Sequence, residues 1–171
     1  MRKVILNLAL SLDSLIEGPN GEYDWCFNDQ DYGLTDFFKR IDTIFFGRKS
    51  YELVLKNDDG YFDSKKWYVF STTLNEVKDK NTTLINKDVT ATVNKIKNEQ
   101  GKDIWLFGGA SLVTTFMNEG LVDELELAVH PILLGSGKPL FQNISKRIKL
   151  ELTNSKVYDS GLVQLFYNVL K

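Results

Sequence analysis

Apolar residues run from Val4 to Leu10 with one break at Asn7, the pattern of a strand buried on both faces. The cluster Gly18-Pro19-Asn20-Gly21 marks a turn-rich loop after it. From Leu34 the apolar positions Phe37, Phe38 and Ile41 follow the i, i+3, i+4, i+7 rule, which predicts a helix with one buried face. Thr43 to Phe46 reads as a short strand ended by Gly47, and Arg48 to Leu55 as a helix with Arg48, Lys49 and Ser50 in its first turn. Lys66 to Phe70 and Thr82 to Ile85 are two further strands. Val89, Val93 and Ile96 mark a helix; Ile104 to Phe107 is a strand running into Gly108-Gly109. The next helix carries Leu112, Val113, Phe116 and Met117 on one side and stops at Gly120.

Strand and helix alternate to this point, as in a largely parallel sheet. The last third differs. Leu125, Leu127 and Val129 alternate with Glu124, Glu126 and Ala128 at the strand period of two. Lys149 to Tyr158 and Leu162 to Leu170 then form two strands joined through Asp159-Ser160-Gly161, a hairpin signal. The expectation is a single α/β domain over residues 1–171 with a mixed sheet.

Composition narrows the function classes. With 21 Lys plus Arg against 23 Asp plus Glu, scattered along the chain, there is no basic field for nucleic-acid phosphates. One cysteine, Cys26, allows no intramolecular disulfide, and with one histidine, His130, it cannot complete a Cys/His zinc site. No metal, no nucleic acid and a reducing cytoplasm are expected. The run after Arg2 and Lys3 is interrupted by Asn7 and Ser11 and lacks a small-residue cleavage site, so it reads as a strand and not a signal peptide. Nothing approaches the ~20 apolar residues of a membrane span.

Ligands of open α/β sheets bind beyond the carboxyl ends of the strands. Three such places carry candidate chemistry. Gly47-Arg48-Lys49-Ser50 puts two cations and a hydroxyl at a helix start, where backbone N–H groups favour an anion. Taken alone, the pair fits a phosphate and solvated surface charge equally. Ser71-Thr72-Thr73 could complete a pocket for a 2′-phosphate or simply make turns and caps. Gly108-Gly109 lets a pyrophosphate approach the main chain, although no G-x-G-x-x-G fingerprint is present. Asp13, Glu17, Asp24, Asp29, Asp31 and Asp36 are all acid/base candidates by composition. His130 and Cys26 read as structural residues.

Four segments, taken in order, resemble one family: Ser11-Leu12-Asp13, Ile44 through Glu52, Ile104 through Gly109, and Pro131 through Phe141. The chain resembles dihydrofolate reductases and, more closely, the reductase domain of bifunctional riboflavin-biosynthesis deaminase-reductases. The resemblance implies a three-layer α-β-α dihydrofolate-reductase-like fold with a mixed central sheet and a C-terminal antiparallel hairpin. It also implies NADPH across the sheet's carboxyl edge, and a homodimer. Gly47, Arg48, Lys49 and Ser50 match the segment contacting the cofactor phosphates. Ser71 and Thr72 match the loop near the adenosine ribose, and Gly108 and Gly109 a glycine pair joined by a cis peptide in folate reductases, with Ala110 and Ser111 continuing the cofactor site. Trp25, Gly135 and Gly137 fall to the substrate side.

Counting from Trp25 places Asp29 or Asp31 near the pterin-binding carboxylate of folate reductases, without a clean match, while Leu134 to Phe141 looks like the riboflavin type. The zinc deaminase that accompanies that reductase needs more His and Cys than this sequence holds. The leading expectation is therefore an NADPH-dependent reductase acting on a small heterocycle or ribosyl-aminopyrimidine-like compound, with Asp13 or Asp31 orienting substrate or supplying a proton. A folate or pterin reductase is the alternative enzyme. An NADPH-binding sensor or dimeric interaction module without turnover is the alternative of another class.

Overall fold

The computed structural model describes residues 1–57, 60–77 and 81–171. Its main sheet has eight strands: β1 (Val4–Ser11), β3 (Ile41–Gly47), β4 (Lys66–Phe70), β5 (Thr82–Ile85), β6 (Asp103–Gly108), β7 (Glu124–His130), β9 (Leu150–Val157) and β10 (Val163–Val169). They lie in the order β5-β4-β3-β6-β1-β7-β10-β9. The first six are parallel; β10 is antiparallel to β7 and β9 to β10. Two short strands, β2 (Leu15–Glu17) and β8 (Lys138–Pro139), make a separate antiparallel ribbon.

Among the described residues four helices cover the two faces: α1 (Leu34–Arg40), α2 (Arg48–Lys56), α3 (Val89–Asn98) and α4 (Ala110–Asn118). The period of two decides which layer each strand residue joins. Val4 and Leu6 of β1, Phe45 of β3, and Ile104 and Leu106 of β6 pack with Val93, Ile96, Val113 and Phe116 of α3 and α4. Their neighbours Ile5, Ile44, Phe46 and Trp105 point the other way, onto Phe37, Tyr51 and Val54 of α1 and α2. Successive residues therefore meet apolar partners on opposite faces, which is why these strands read as unbroken apolar runs.

Several sequence readings shift. Ile41 satisfies the helical spacing but opens β3 with extended dihedrals, because strand pairing with Asp103 captures it. β7, for all its alternation, runs parallel to β1, with Leu6 opposite Leu125; within the main sheet the antiparallel pairings among the described residues are β7 with β10 and β10 with β9. α4 ends as expected at Gly120, whose φ of 65° allows its amide to reach Met117 O and the Leu121 amide to reach Phe116 O, a Schellman closure. Among the described residues no helix is long and apolar enough to cross a membrane.

Candidate functional site

β3 and β6 are sheet neighbours, with Phe46 opposite Gly108, so α2 and α4 begin side by side at one edge of the sheet. Neither helix start carries a side-chain cap or an acidic residue in its first turn. Their first amides and the positive ends of their dipoles are thus left for an external acceptor. A Cβ placed on Gly47 would lie 3.4 Å from both Gly108 O and Gly109 N, and one on Gly109 would lie 3.5 Å from Ser50 Oγ. Gly108 has φ 115°, a conformation that suits glycine, and the Gly108–Gly109 peptide is cis.

A cavity of ≈ 430 Å³ opens over this junction. Gly47, Arg48, Lys49, Ser71, Thr72, Gly109, Ala110 and Ser111 all line it, so three segments far apart in sequence meet there. Arg48 is half-exposed and its Nη1 donates to Glu52 Oε1 at 3.0 Å. Ser71 Oγ accepts from the amides of Thr73 (3.2 Å) and Leu74 (3.0 Å), so it closes the turn after β4 as well as facing the cavity.

A second cavity, of ≈ 470 Å³, adjoins the first through Lys49, Gly109 and Lys138, which line both. Its floor is Leu8 and Ala9 of β1 and Phe107 of β6; Leu53 and Val54 of α2 and the following Tyr61 and Phe62 form a wall. Ser50, the remaining residue of the Gly47–Ser50 segment, faces this side. Glu17 is its carboxylate among the described lining residues, and Lys138 Nζ lies 3.3 Å from Glu17 Oε1.

Sequence reasoning missed Lys138, Leu53, Tyr61 and Phe62. The one available signal was Lys138 inside the family-like segment, since the apolar residues resemble ordinary core positions.

Asp13 follows the end of β1, lines none of the described cavities and faces the segment from residue 131 to 141. Its carboxylate accepts from Ser11 Oγ (2.6 Å), Gly135 N (2.8 Å) and Leu134 N (3.2 Å). The Ser11 hydroxyl first, and then the Gly135 amide, hold its carboxyl below the ordinary value. A carboxylate kept ionised by three donors is suited to clamp a loop rather than to give up a proton. Gly135 supplies one of those donors with φ 73°. Gly137 brings β8 so near β2 that a Cβ there would sit 2.1 Å from Glu17 O. The two glycines thus shape the loop that carries Lys138 into the cleft, and neither lines the two adjoining cavities.

Asp31 is placed apart from the cleft and lines none of the described cavities. It accepts from Thr35 Oγ1 (2.7 Å), Thr35 N (2.9 Å) and Gly33 N (3.1 Å) at the start of α1. The Thr35 hydroxyl, followed by the Thr35 amide, holds its carboxyl low. From two residues before the N-cap Gly33, its carboxylate thus takes up an N-terminal amide of α1.

Trp25 lies in a third cavity, which shares Cys26 with the second one, and faces His130 there, ring centroids 5.3 Å apart and planes nearly perpendicular. Its Nε1 is buried without a hydrogen-bond partner. His130 Nε2 accepts from Phe27 N at 3.1 Å and Nδ1 lies 3.0 Å from Ala128 O, which assigns the neutral Nδ1–H tautomer; burial lowers its pKa. Burial, and then the Asp24 carboxylate, push the Cys26 thiol up to about 11. Among the described residues there is no cluster of His, Cys, Asp and Glu that could hold a metal.

Comparison with known proteins bears on the same cleft. Residues 2–164 match the model of the RibD C-terminal domain. The chain is 50% identical over 179 residues to the uncharacterized protein YyaP of Bacillus subtilis (strain 168), covering 98% of this chain and 95% of that protein. A putative riboflavin biosynthesis protein from Shewanella sp. PV-4 superposes with a TM-score of 0.85 at 29% identity, over 99% of both chains. The diaminohydroxyphosphoribosylaminopyrimidine deaminase/5-amino-6-(5-phosphoribosylamino)uracil reductase of Thermotoga maritima shares the fold at a TM-score of 0.75 and 14% identity, matching 99% of this chain and 57% of that one. With the family model spanning most of its length, the chain belongs to the RibD C-terminal domain family and has its riboflavin-biosynthesis reductase-like fold.

Proposed function

We propose that this chain is an NADPH-dependent reductase of the riboflavin-biosynthesis type. The observation that carries the reading is the junction of two uncapped helix starts over Gly47 and Gly109. The residues present fit a dinucleotide. The amides opening α2 and α4 can receive a diphosphate, the absence of Cβ atoms leaves room for it, and Arg48, Lys49, Ser71 and Thr72 offer charge and hydroxyls for a further phosphate.

Bound NADPH supplies hydride; the protein binds and orients the two reactants. Lys49 and Lys138 line both cavities, Lys138 paired with Glu17, and on this reading they supply positive charge near the reacting atoms. Asp13 acts at one remove, as the clamp that holds the loop bearing Lys138. The pterin-reductase alternative needs an acid from the first helix deep in the pocket, and no residue of α1 is among the described lining of the second cavity.

A homodimer is part of the same proposal. β9 is exposed along its whole length, with Leu150, Leu152 and Val157 facing outward, and an apolar edge of that kind calls for a cover. Sedimentation of the parent protein and of Leu152→Arg checks this: a dimer converted to monomer is expected, and a monomeric parent would contradict it.

The function is tested by thermal shift with NADPH, NADH and FMN. NADPH at ~100 times its dissociation constant should add ~2.7 kcal/mol of stability, with NADH weaker and FMN inert. No shift with NADPH, or an equal shift with FMN, would overturn the reading.

A further inference from the structure

We propose that His130 is a positioning residue and a pH-sensitive latch for the second cavity: as the neutral imidazole it holds the loop of residues 23–28 in place, and on taking a proton it lets that loop go. The latch regulates the cleft assigned above, and so rests on the reductase reading for its role though not for its existence.

Residues 18–33 form neither helix nor strand, yet they supply walls to two cavities. Tyr23 and Cys26 line the second, and Asp24 through Asp29 line the third. Within the loop, Cys26 N donates to Tyr23 O at 3.1 Å. Among the described residues, the one hydrogen bond that ties 23–28 to the sheet runs from Phe27 N to His130 Nε2, at 3.1 Å. Nε2 can accept it only while it carries no proton. Nδ1–H is committed to Ala128 O at 3.0 Å, so the two nitrogens are not free to exchange roles.

His130 is 2% exposed, and the rings of Trp25 and Phe27 meet it at 5.3 and 5.0 Å. The imidazole is thus the seat on which the loop rests. A proton on Nε2 would set two donors against each other, the new N–H and the Phe27 amide, and the amide must give up its bond. Burial works against that proton and lowers the pKa, while contacts with the Ala128 and Leu10 backbones oppose it. The other groups around the ring come from three further elements. Asp24, Cys26 and Asp29 of the loop and Ser160 of the β9–β10 turn line the same cavity, Asp29 being engaged by the Tyr32 hydroxyl at 2.8 Å. Ser11 of β1 pairs beside His130 and its Oγ donates to Asp13. No lysine or arginine is among the described lining of that cavity. The loop is therefore held at neutral pH, and the hold is lost as pH falls from the ordinary 6.5 through the lower value of the folded protein.

NMR of the full chain reads both partners. His130 is the one histidine in the sequence, so its imidazole signals stand alone, and the Phe27 amide is expected to shift with the same midpoint, below 6.5. Cys26 reports the opening of the loop. Its protection from a dipyridyl disulfide, taken against the urea-unfolded chain at the same pH, should fall about five-fold between about pH 7.5 and about pH 5, the scale of one hydrogen bond. His130→Gln puts an acceptor that does not titrate in the place of Nε2, and should keep Cys26 protected at both pH values; a histidine with only a packing role would not be rescued in this way. A Phe27 amide that stays still while the imidazole titrates would overturn the proposal, as would a His130→Gln protein, folded by circular dichroism, that loses protection on acidification as the parent does. Should that variant fail to fold, the parent's two NMR titrations decide alone. A working latch without any NADPH thermal shift would leave this assignment standing and remove the reductase reading; an NADPH shift with a motionless Phe27 amide would do the reverse.

Discussion

Replacing Gly137 by alanine should unfasten the clip that brings Lys138 to the cleft. Gly137 has φ 146°, and a methyl group there would meet Glu17 O at 2.1 Å and Glu17 C and Gly18 Cα at 3.1 Å, all backbone atoms. Ordinary contact begins near 3.4 Å, so β8 must retreat by 3.4 − 2.1 = 1.3 Å or more. The backbone conformation alone costs ~1–3 kcal/mol for a residue other than glycine. Retreat also puts at risk the bond from Leu140 N to Ser14 O (3.0 Å), worth about 1 kcal/mol net, and loosens the contact from Gly135 N to Asp13 (2.8 Å). A total near ~3 kcal/mol, at ~2–4 °C per kcal/mol for a chain of this size, lowers Tm by ~6–12 °C in scanning calorimetry. NADPH affinity should fall with it, since Lys138 lines both cavities. A Tm within ~2 °C of the parent would refute the close approach of β8 to β2 on which this rests.

Other outcomes follow from the same geometry. Arg48→Ala should weaken NADPH by ~1–3 kcal/mol, the scale of a lost charge-assisted hydrogen bond, read by calorimetric titration; unchanged affinity would remove Arg48 from the site. The folded pKa of Asp13 lies below its ordinary 3.8, so its contribution to the clip is complete above that value and is lost as pH falls through the lower, folded one. The Gly135 amide resonance should therefore hold steady on acidification until below the ordinary carboxylate range, and a shift beginning near neutrality would contradict the assignment. With its thiol pushed up to about 11, Cys26 carries about 200-fold less thiolate at about pH 8 than a free cysteine. Its reaction with Ellman's reagent in the folded protein should be correspondingly slow, and labelling at the free-thiol rate would show the burial to be wrong.

The parts of the fold readable in the sequence are those whose signal is local. Strands buried on both faces leave apolar runs, as in Val4 to Leu10, and helices with one buried face leave a 3.6 period, as in Val89, Val93 and Ile96. β2 and β8 left no such trace. They are three and two residues long, too short for any period, and they exist because Gly137 lets one backbone pass close to another some 120 positions away in sequence.

The candidate site divides in the same way. Gly47, Arg48, Gly108 and Gly109 could be picked out because a helix start after a strand is a local motif. The wall of the second cavity could not, because Leu53, Tyr61 and Phe62 differ from core residues only in what the fold leaves open beside them. Asp31 shows the converse ambiguity. An acidic residue before a helix is a good cap by local chemistry, and Thr35 completes that role.

The central claim is that the starts of α2 and α4 together grip one dinucleotide, and an amide-resolved NMR titration with NADPH reads it directly. The account predicts that the amides of Gly47 to Ser50 and of Gly108 to Ser111 shift together, along one saturation curve, while those around Asp31 stay still. Movement confined to one of the two helix starts, or centred on the Trp25–His130 cavity, would contradict it.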